Sequence, residues 1–202
     1  MSNSSAWEII RRNTRVILRV AALGAILAIA FSFLVPREYS STARLLVIPR
    51  GSGGTDPFTA IKSAERISDN LAQIIPTTSF FDRVTRAGFF IDQSVFSENE
   101  QKKRREWRNM VDTTVSRGSG ILTVKVYHPD RDQATQIVQA ISYVLTTSGW
   151  EYIGGDLLIR LLDAPLASRF PTRPNFIANA VSGFMTGAAL GAGIVLMRKR
   201  NG

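Results

Sequence analysis

Two long apolar segments near the two ends of the chain constrain its fold more than any other feature. The first, Val16–Val35, is apolar except for Arg19, one glycine and one serine, and the second, Phe176–Met197, contains no charged residue. Twenty residues of α-helix rise about 30 Å, the thickness of the hydrocarbon core of a bilayer. The sequence therefore predicts two transmembrane helices, with residues 36–175 forming a domain between them.

Basic residues flank both segments and account for most of the formal net charge of +9. They open the first segment and follow the second: Arg11, Arg12, Arg15, Arg19, Arg198, Lys199 and Arg200. Segments rich in lysine and arginine stay on the cytoplasmic side of a membrane. We therefore predict cytoplasmic ends at 1–15 and 198–202, spans at 16–35 and 176–197, and an extracytoplasmic domain at 36–175. Charge placed in this way predicts contact with membrane lipids and not with nucleic acid.

Each apolar segment has a second interpretation. A cleaved signal peptide also combines a basic start with an apolar run, but the exit Leu34-Val35-Pro36-Arg37 has no small-residue cleavage site. A buried core helix could account for the second segment, although a charge-free run of this length is long for one. The sequence therefore favours two true spans.

Small residues recur every four positions in each predicted span. They are Gly24, Ala28 and Ser32 in the first, and Gly183, Gly187 and Gly191 in the second. Such faces let helix backbones approach closely in lipid. The alternative is chance, since glycine is common in spans, but we interpret both faces as packing surfaces and expect them to support an oligomer.

The segment between the spans has the pattern of an α+β domain with a small sheet covered by helices. The predicted order is β-α-α-α-β-β-α-β. The elements are Tyr39–Ile48, Phe58–Ile75, Ser79–Ala87, a helix from Ser97, Thr113–Ser116, Ile121–Tyr127, a helix through Thr147, and Leu157–Leu162.

Local signals place three helix ends in this domain. Ser97 and Glu100 have the spacing of a capping box. Asp130 is the expected N-cap of the helix through Thr147, and Gly88 the expected C-cap of the helix Ser79–Ala87. In the strand Ile121–Tyr127, alternate apolar residues predict one buried face.

Prolines mark the two connections between the domain and the spans. Pro36 follows the first span, and Ala164–Asn175 carries Pro165, Pro171 and Pro174. Proline fixes φ and removes an N–H donor, so we predict that residues 164–175 form a stiff, extended strut.

No catalytic, cofactor or metal site is predicted. The chain has no cysteine and one histidine, His128, at a strand-to-helix turn where a structural role is the commoner one. The glycine-rich loop Arg50–Pro57 lacks the lysine of a phosphate-binding P-loop. No pair of carboxylates can be nominated for hydrolysis of sugars, so an enzyme acting on sugars is not favoured.

The densest run of charge is Lys102-Lys103-Arg104-Arg105. Pairs four residues apart, Glu98 with Lys102 and Glu100 with Arg104, suit a solvated helix face. The alternative is contact with an acidic polymer or a partner subunit. Trp150 and Tyr152 could stack on sugars, although core or interface packing is the commoner role for such residues.

Several segments together resemble the Wzz-type chain length determinants, also called polysaccharide co-polymerases. The resemblance runs along nearly the whole chain and includes Asp130-Arg131-Asp132-Gln133-Ala134, where Arg131 replaces the family's proline. The other segments are Pro36-Arg37-Glu38-Tyr39, Ser41–Pro49, Leu162-Asp163-Ala164-Pro165 and Ser168–Asn175.

The resemblance implies a non-enzymatic subunit, without cofactors, of the bacterial inner membrane. Members form rings with copies of themselves and set the length of a polysaccharide made by a partner polymerase. The long helical arm of many members is absent here, since Gly149–Asp156 makes the passage in a few residues. Arg198–Gly202 is too short for the kinase that some members carry, so we expect the small form that works beside a separate tyrosine kinase.

Two functions therefore stay open. The first is regulation of the length and assembly of a surface polysaccharide: exopolysaccharide, capsule or O-antigen. The second is a membrane adaptor that activates a separate cytoplasmic tyrosine kinase.

Overall fold

The computed structural model describes residues 11–50, 56–154 and 157–200. The chain divides into two compact units, each considered by itself below. The helical unit consists of the chain up to Arg37 and from Arg173 onward, and the α+β domain is Glu38–Thr172. The described elements are, in chain order, α1 (Thr14–Ser32), β1 (Tyr39–Pro49), α2 (Pro57–Ile74), α3 (Thr78–Thr85), a 3₁₀ turn (Gln93–Val95), α4 (Glu100–Met110), β2 (Val111–Ser116), β3 (Ile121–His128), α5 (Arg131–Ile153), β4 (Leu157–Ala167) and α6 (Phe176–Arg200).

The helical unit consists of α1 and α6, which are long and apolar enough to cross a membrane. Helix α1 ends at Ser32, three residues before the predicted exit, and α6 continues past Met197. Gly24 faces Gly183, while Gly191 faces Ile17, so the two helices run antiparallel. The predicted arrangement of two candidate spans around an α+β domain is confirmed.

An antiparallel sheet forms the centre of the α+β domain. Among the described residues it has four strands in the order β2-β3-β1-β4. The first and last strands of the domain are therefore neighbours, with Ser41 opposite Ala167 and Pro49 opposite Leu157.

One face of the sheet carries the core. In β3 the buried residues alternate as predicted, because period-two side chains point to one face. They are Leu122, Val124 and Val126, joined from β1 by Ala43, Leu45 and Val47. Helix α5 covers this face with a stripe of buried residues that includes Ile137, Ile141 and Leu145.

An aromatic cluster closes the domain beside α2 and α3. The ring of Phe81 packs edge-on against Phe96 at 4.9 Å and against Trp107 at 5.1 Å. The indole Nε1 of Trp107 donates a hydrogen bond to the carbonyl oxygen of Ile75 at 2.8 Å. This bond fixes α4 to the C-terminal end of α2.

The predicted capping box at Ser97 and Glu100 is wrong. Helix α4 begins at Glu100, and its N-cap is Asn99, whose side chain accepts hydrogen bonds from the N–H groups of Gln101 and Lys102. The N–H of Ser97 instead donates to the carboxylate of Glu106 at 2.8 Å. Gly88 has the positive φ expected of it, but the C-cap of α3 is Arg86.

Helix α5 is longer than predicted, reaching Ile153 with Gly154 as its left-handed C-cap. Gly149 is therefore inside the helix. A β-carbon at this position would lie 2.6 Å from Cδ1 of Ile159, so Gly149 provides room for β4 and does not end the helix.

Strand β4 is also longer than predicted, which shortens the strut. Residues 164–167, including Pro165, belong to β4 and not to a free connection. Proline is tolerated because β4 lies at the edge of the sheet, where an N–H can be dispensed with. The register shifts opposite Thr42, Arg44 and Leu45 take up the extra residues of β4 as bulges.

Candidate functional site

Small residues bring α1 and α6 into backbone contact. A β-carbon at Gly187 would lie 2.6 Å from the carbonyl oxygen of Val20. At Gly183 it would lie 2.5 Å from the carbonyl oxygen of Gly24 and 2.6 Å from Cβ of Ala28. The two small-residue faces thus meet within one chain, so they join the spans of a single subunit.

Gly191 and Ser32 extend this contact toward the two ends of the pair. A β-carbon at Gly191 would lie 3.1 Å from Cα of Ile17. Near the other end, Nδ2 of Asn179 donates to Oγ of Ser32 at 2.7 Å, and this hydroxyl donates to the carbonyl oxygen of Ala28 at 2.9 Å. Because α1 and α6 are antiparallel, the basic start of α1 and Arg198 lie at the same end of the helical unit.

The connection that follows β4 is hydrogen-bonded to the segment that leads into β1. The N–H of Ser168 donates to the carbonyl oxygen of Ser40 at 2.7 Å, and Oγ of Ser168 accepts from the N–H of Ser40 at 3.0 Å. The N–H of Thr172 donates to the carbonyl oxygen of Glu38 at 2.8 Å. The predicted strut is therefore pinned to the sheet as far as Thr172, with Pro171 inside the pinned part.

Only a short part of the predicted strut lies beyond Thr172. It contains Pro174, which follows a cis peptide bond from Arg173. Pro36 lies on the other connection, between α1 and β1.

The four basic residues at 102–105 differ in their partners: the two lysines pair with glutamates of α4, and the two arginines do not. Lys102 lies 3.9 Å from the carboxylate of Glu106, and Lys103 pairs with Glu100. The predicted pairs are not formed: Glu98 lies outside α4, and Glu100 pairs with Lys103 and not with Arg104. Arg104 and Arg105 form no ion pair within the described ranges.

Arg104 lines a cleft together with Arg108, which is one helical turn further along α4. The cleft has a volume of about 450 Å³ and lies between α4 and the turn from α2 to α3. Its lining residues are Gln73, Pro76, Thr77, Thr78, Arg104 and Arg108. We call it the arginine cleft. Its polar groups are guanidiniums, hydroxyls and an amide, a set that suits an anionic group.

A second cleft, of about 290 Å³, adjoins the first at Gln73. Asn70 and Ile74 of α2 line it together with Tyr152 and Ile153 at the end of α5. We call it the tyrosine cleft. It combines an aromatic ring with two side-chain amides.

Neighbouring side chains fix the ring of Tyr152. It packs against Phe80 at 5.8 Å, and the guanidinium of Arg83 lies 5.3 Å from its centroid. Arg83 is held in turn by Glu151, at 2.7 Å, and this hydrogen bond raises the pKa of Arg83. Burial raises the pKa of the Tyr152 hydroxyl. Trp150, for which sugar stacking was likewise the less favoured alternative, is 55% exposed, and its indole donates to the carbonyl oxygen of Thr147 in its own helix.

His128 has a structural position. It is buried at the end of β3, where its Nδ1 accepts a hydrogen bond from the N–H of Asp130 at 2.9 Å. Asp130 caps α5 as predicted, accepting from the N–H groups of Asp132 and Gln133. No cluster that could hold a metal ion occurs in the described part of the chain.

Of the two arginines that line the arginine cleft, the sequence analysis singled out Arg104, as part of the run at 102–105, and missed Arg108. Arg108 could have been found, since residues four apart share a helix face. Gln73, Thr77 and Asn70 carried no such signal, because only the packing of α2 against α4 and α5 brings them to the clefts. Lys102, Lys103 and Arg105 do not line either cleft.

Comparison with known proteins gives one family. The model for "Wzz: Chain length determinant protein" matches residues 6–87, a segment that includes α1, β1, α2 and α3. No curated protein matches the chain.

Proposed function

From the match of residues 6–87 to the model of the Wzz chain length determinant family, we propose that the chain belongs to this family and regulates the length of a bacterial surface polysaccharide. The proposed protein is a subunit of the inner membrane without catalysis of its own. It acts beside a partner polymerase and assembles with copies of itself.

The observation that carries this proposal is the family match across the first span and the start of the α+β domain. Two apolar helices fit a protein of the inner membrane. Their basic ends lie together, which by the positive-inside rule supports two cytoplasmic ends and an extracytoplasmic domain. The domain begins and ends on the neighbouring strands β1 and β4.

Deletion of the gene tests the proposal. The mutant strain should still make polymer, because no catalytic residue is removed, but its length distribution should broaden or shift, or its yield should fall. Gel electrophoresis of the surface polysaccharide measures both. If length and yield equal those of the parent strain, the proposal is wrong, and phosphotyrosine on candidate kinases should then be assayed for the adaptor function.

A substitution in the connection to α6 tests how length is set. Replacing Pro171 and Pro174 with glycine widens the accessible backbone space without removing core residues. We expect normal membrane levels and a broader length distribution. Pro57→Gly, at the first turn of α2, is the matched control and should leave the distribution unchanged.

A further inference from the structure

We propose that the arginine cleft and the tyrosine cleft together form a binding site for an anionic glycan. Arg104 and Arg108 bind a carboxylate or phosphate group on the glycan, and Tyr152 supports a neighbouring sugar ring. Gln73 lies where the two clefts meet. The inference rests on the proposed function, which brings the chain into contact with a polysaccharide.

The two arginines are not explained by the stability of the domain. They lie four residues apart on one face of α4, where like charges repel each other. Neither side chain forms an ion pair or a hydrogen bond among residues 11–50, 56–154 and 157–200. A bound anion between them would turn this repulsion into a charge-assisted contact.

The end of α2 does not require them either. Cationic side chains are often placed near the last carbonyl groups of a helix. Here the carbonyl oxygen of Ile74 already accepts from the N–H and hydroxyl of Thr77, at 2.9 and 2.6 Å. The carbonyl oxygen of Ile75 accepts from Trp107. These carbonyl groups therefore have partners without Arg104 and Arg108, and both arginines line the cleft.

The remaining groups of the site suit a sugar. The side-chain amides of Asn70 and Gln73 each offer both a donor and an acceptor, as sugar hydroxyls do. The polarised C–H groups of a sugar are attracted to the negative face of an aromatic ring. Since Phe80 and Arg83 already hold Tyr152, binding restricts the ring little further.

Trp107 provides a probe for binding to the full-length protein in detergent. Its indole is bonded to Ile75, next to Pro76 in the arginine cleft. The chain has three tryptophans, so Trp7→Phe with Trp150→Phe leaves Trp107 as the only fluorophore of its kind. The ligand is oligogalacturonate. Its methyl ester is the comparison ligand, because esterification neutralises the carboxylate charges and retains the sugar chain.

We expect saturable binding of oligogalacturonate and affinity at least tenfold lower for the methyl ester. The double variant Arg104→Gln/Arg108→Gln should lower the affinity at least tenfold, and Tyr152→Ala severalfold. The matched control, Lys102→Gln/Arg105→Gln, removes the same charge from α4 outside both clefts and should change the affinity less than twofold. Circular dichroism checks that each variant is folded.

Four results would overturn the site. They are absence of binding, equal loss in the control variant, tight binding of inorganic phosphate alone, and a change of oligomer mass in Arg104→Gln/Arg108→Gln without loss of binding. The last would assign the cleft to a contact between subunits. Failure here is separate from failure of the proposed function, since a deletion strain can lose length control although oligogalacturonate does not bind.

Discussion

The helical unit and the α+β domain are held together by opposite kinds of side chain. In the helical unit, residues with almost no side chain, such as Gly24, Gly183 and Gly187, bring the two backbones into contact. In the domain, three of the largest side chains, Phe81, Phe96 and Trp107, pack against one another. Lipid gives two helices no hydrophobic reason to associate, so close backbone packing takes over there, whereas burial of large apolar side chains drives folding in water.

This difference teaches which kind of mutation each region tolerates. Removing atoms should damage the domain, because a cavity replaces packed aromatic surface. Adding atoms should damage the helical unit, because no space exists between the backbones. The predictions below test these two sensitivities against each other.

The largest effect is expected for Trp107→Ala in the domain. Its side chain is 2% exposed, so the substitution should lower the free energy of unfolding by about 3–5 kcal/mol. It also leaves the carbonyl oxygen of Ile75 without its donor. Urea denaturation of the full-length protein in detergent, followed by near-UV circular dichroism, measures the change. Trp150→Ala, at a site that is 55% exposed, is the control, and equal loss in both would contradict this account of the core.

Gly187→Leu should have the next largest effect, through added atoms. A β-carbon there meets the backbone of Val20 and Ala21, so we expect a cost of about 1–3 kcal/mol to the pairing of α1 with α6. Cysteines replacing Ser32 and Asn179 report the pairing by cross-linking, since the chain has no cysteine of its own. The yield should fall with Gly187→Leu.

Gly193→Leu is the matched control on the same helix, because a β-carbon at Gly193 has nothing within 4 Å. Its cross-linking yield should equal that of the parent. If the two glycine variants behave alike, close packing at Gly187 does not hold the spans together.

The smallest effect concerns the pH dependence of the domain's stability. It tests whether Tyr152, which is only partly buried, is nevertheless packed well enough to shift the pKa of its hydroxyl. Burial raises the pKa of Tyr152 above its ordinary value of 10.0. A group with a raised folded-state pKa contributes stability that is full below the unfolded value and is lost as the pH rises through the folded value. Tyr152→Phe should therefore show a shallower decline in stability above pH 10.0. Urea midpoints across this range measure it, and an unchanged slope would contradict burial as the cause.

Local patterns in the sequence were sufficient for most of the fold. The apolar alternation in β3 identified its buried face because every second side chain points the same way. Asp130 was identified as the cap of α5 because the residues that it bonds follow it directly.

Elements that depend on distant contacts were not predictable in this way. Ser97 is as good a cap as Asn99 by type, but its Oγ accepts from the N–H of Asn99, which lies ahead of the helix. Its own N–H donates to Glu106, in the middle of α4, a contact that the local pattern does not show. Glycine is a residue type that often ends a helix, yet Gly149 lies inside α5. Its presence there is explained only by the close approach of Ile159 from β4. The two clefts follow the same rule, since Gln73 and Arg108 lie far apart in sequence.

The hydrogen bonds at Glu38 and Thr172 also determine how the domain would bear mechanical load. The chain enters and leaves the domain at the same end of the antiparallel pair β1 and β4, with Ser41 opposite Ala167 near this end and Pro49 opposite Leu157 at the other. Tension that pulls the two connecting segments apart would break these hydrogen bonds one at a time, starting at Thr172 and continuing along β1 and β4. Tension on both connecting segments in the same direction would leave the bonds unstrained. The domain is thus weak against splaying of its anchors and strong against their common displacement.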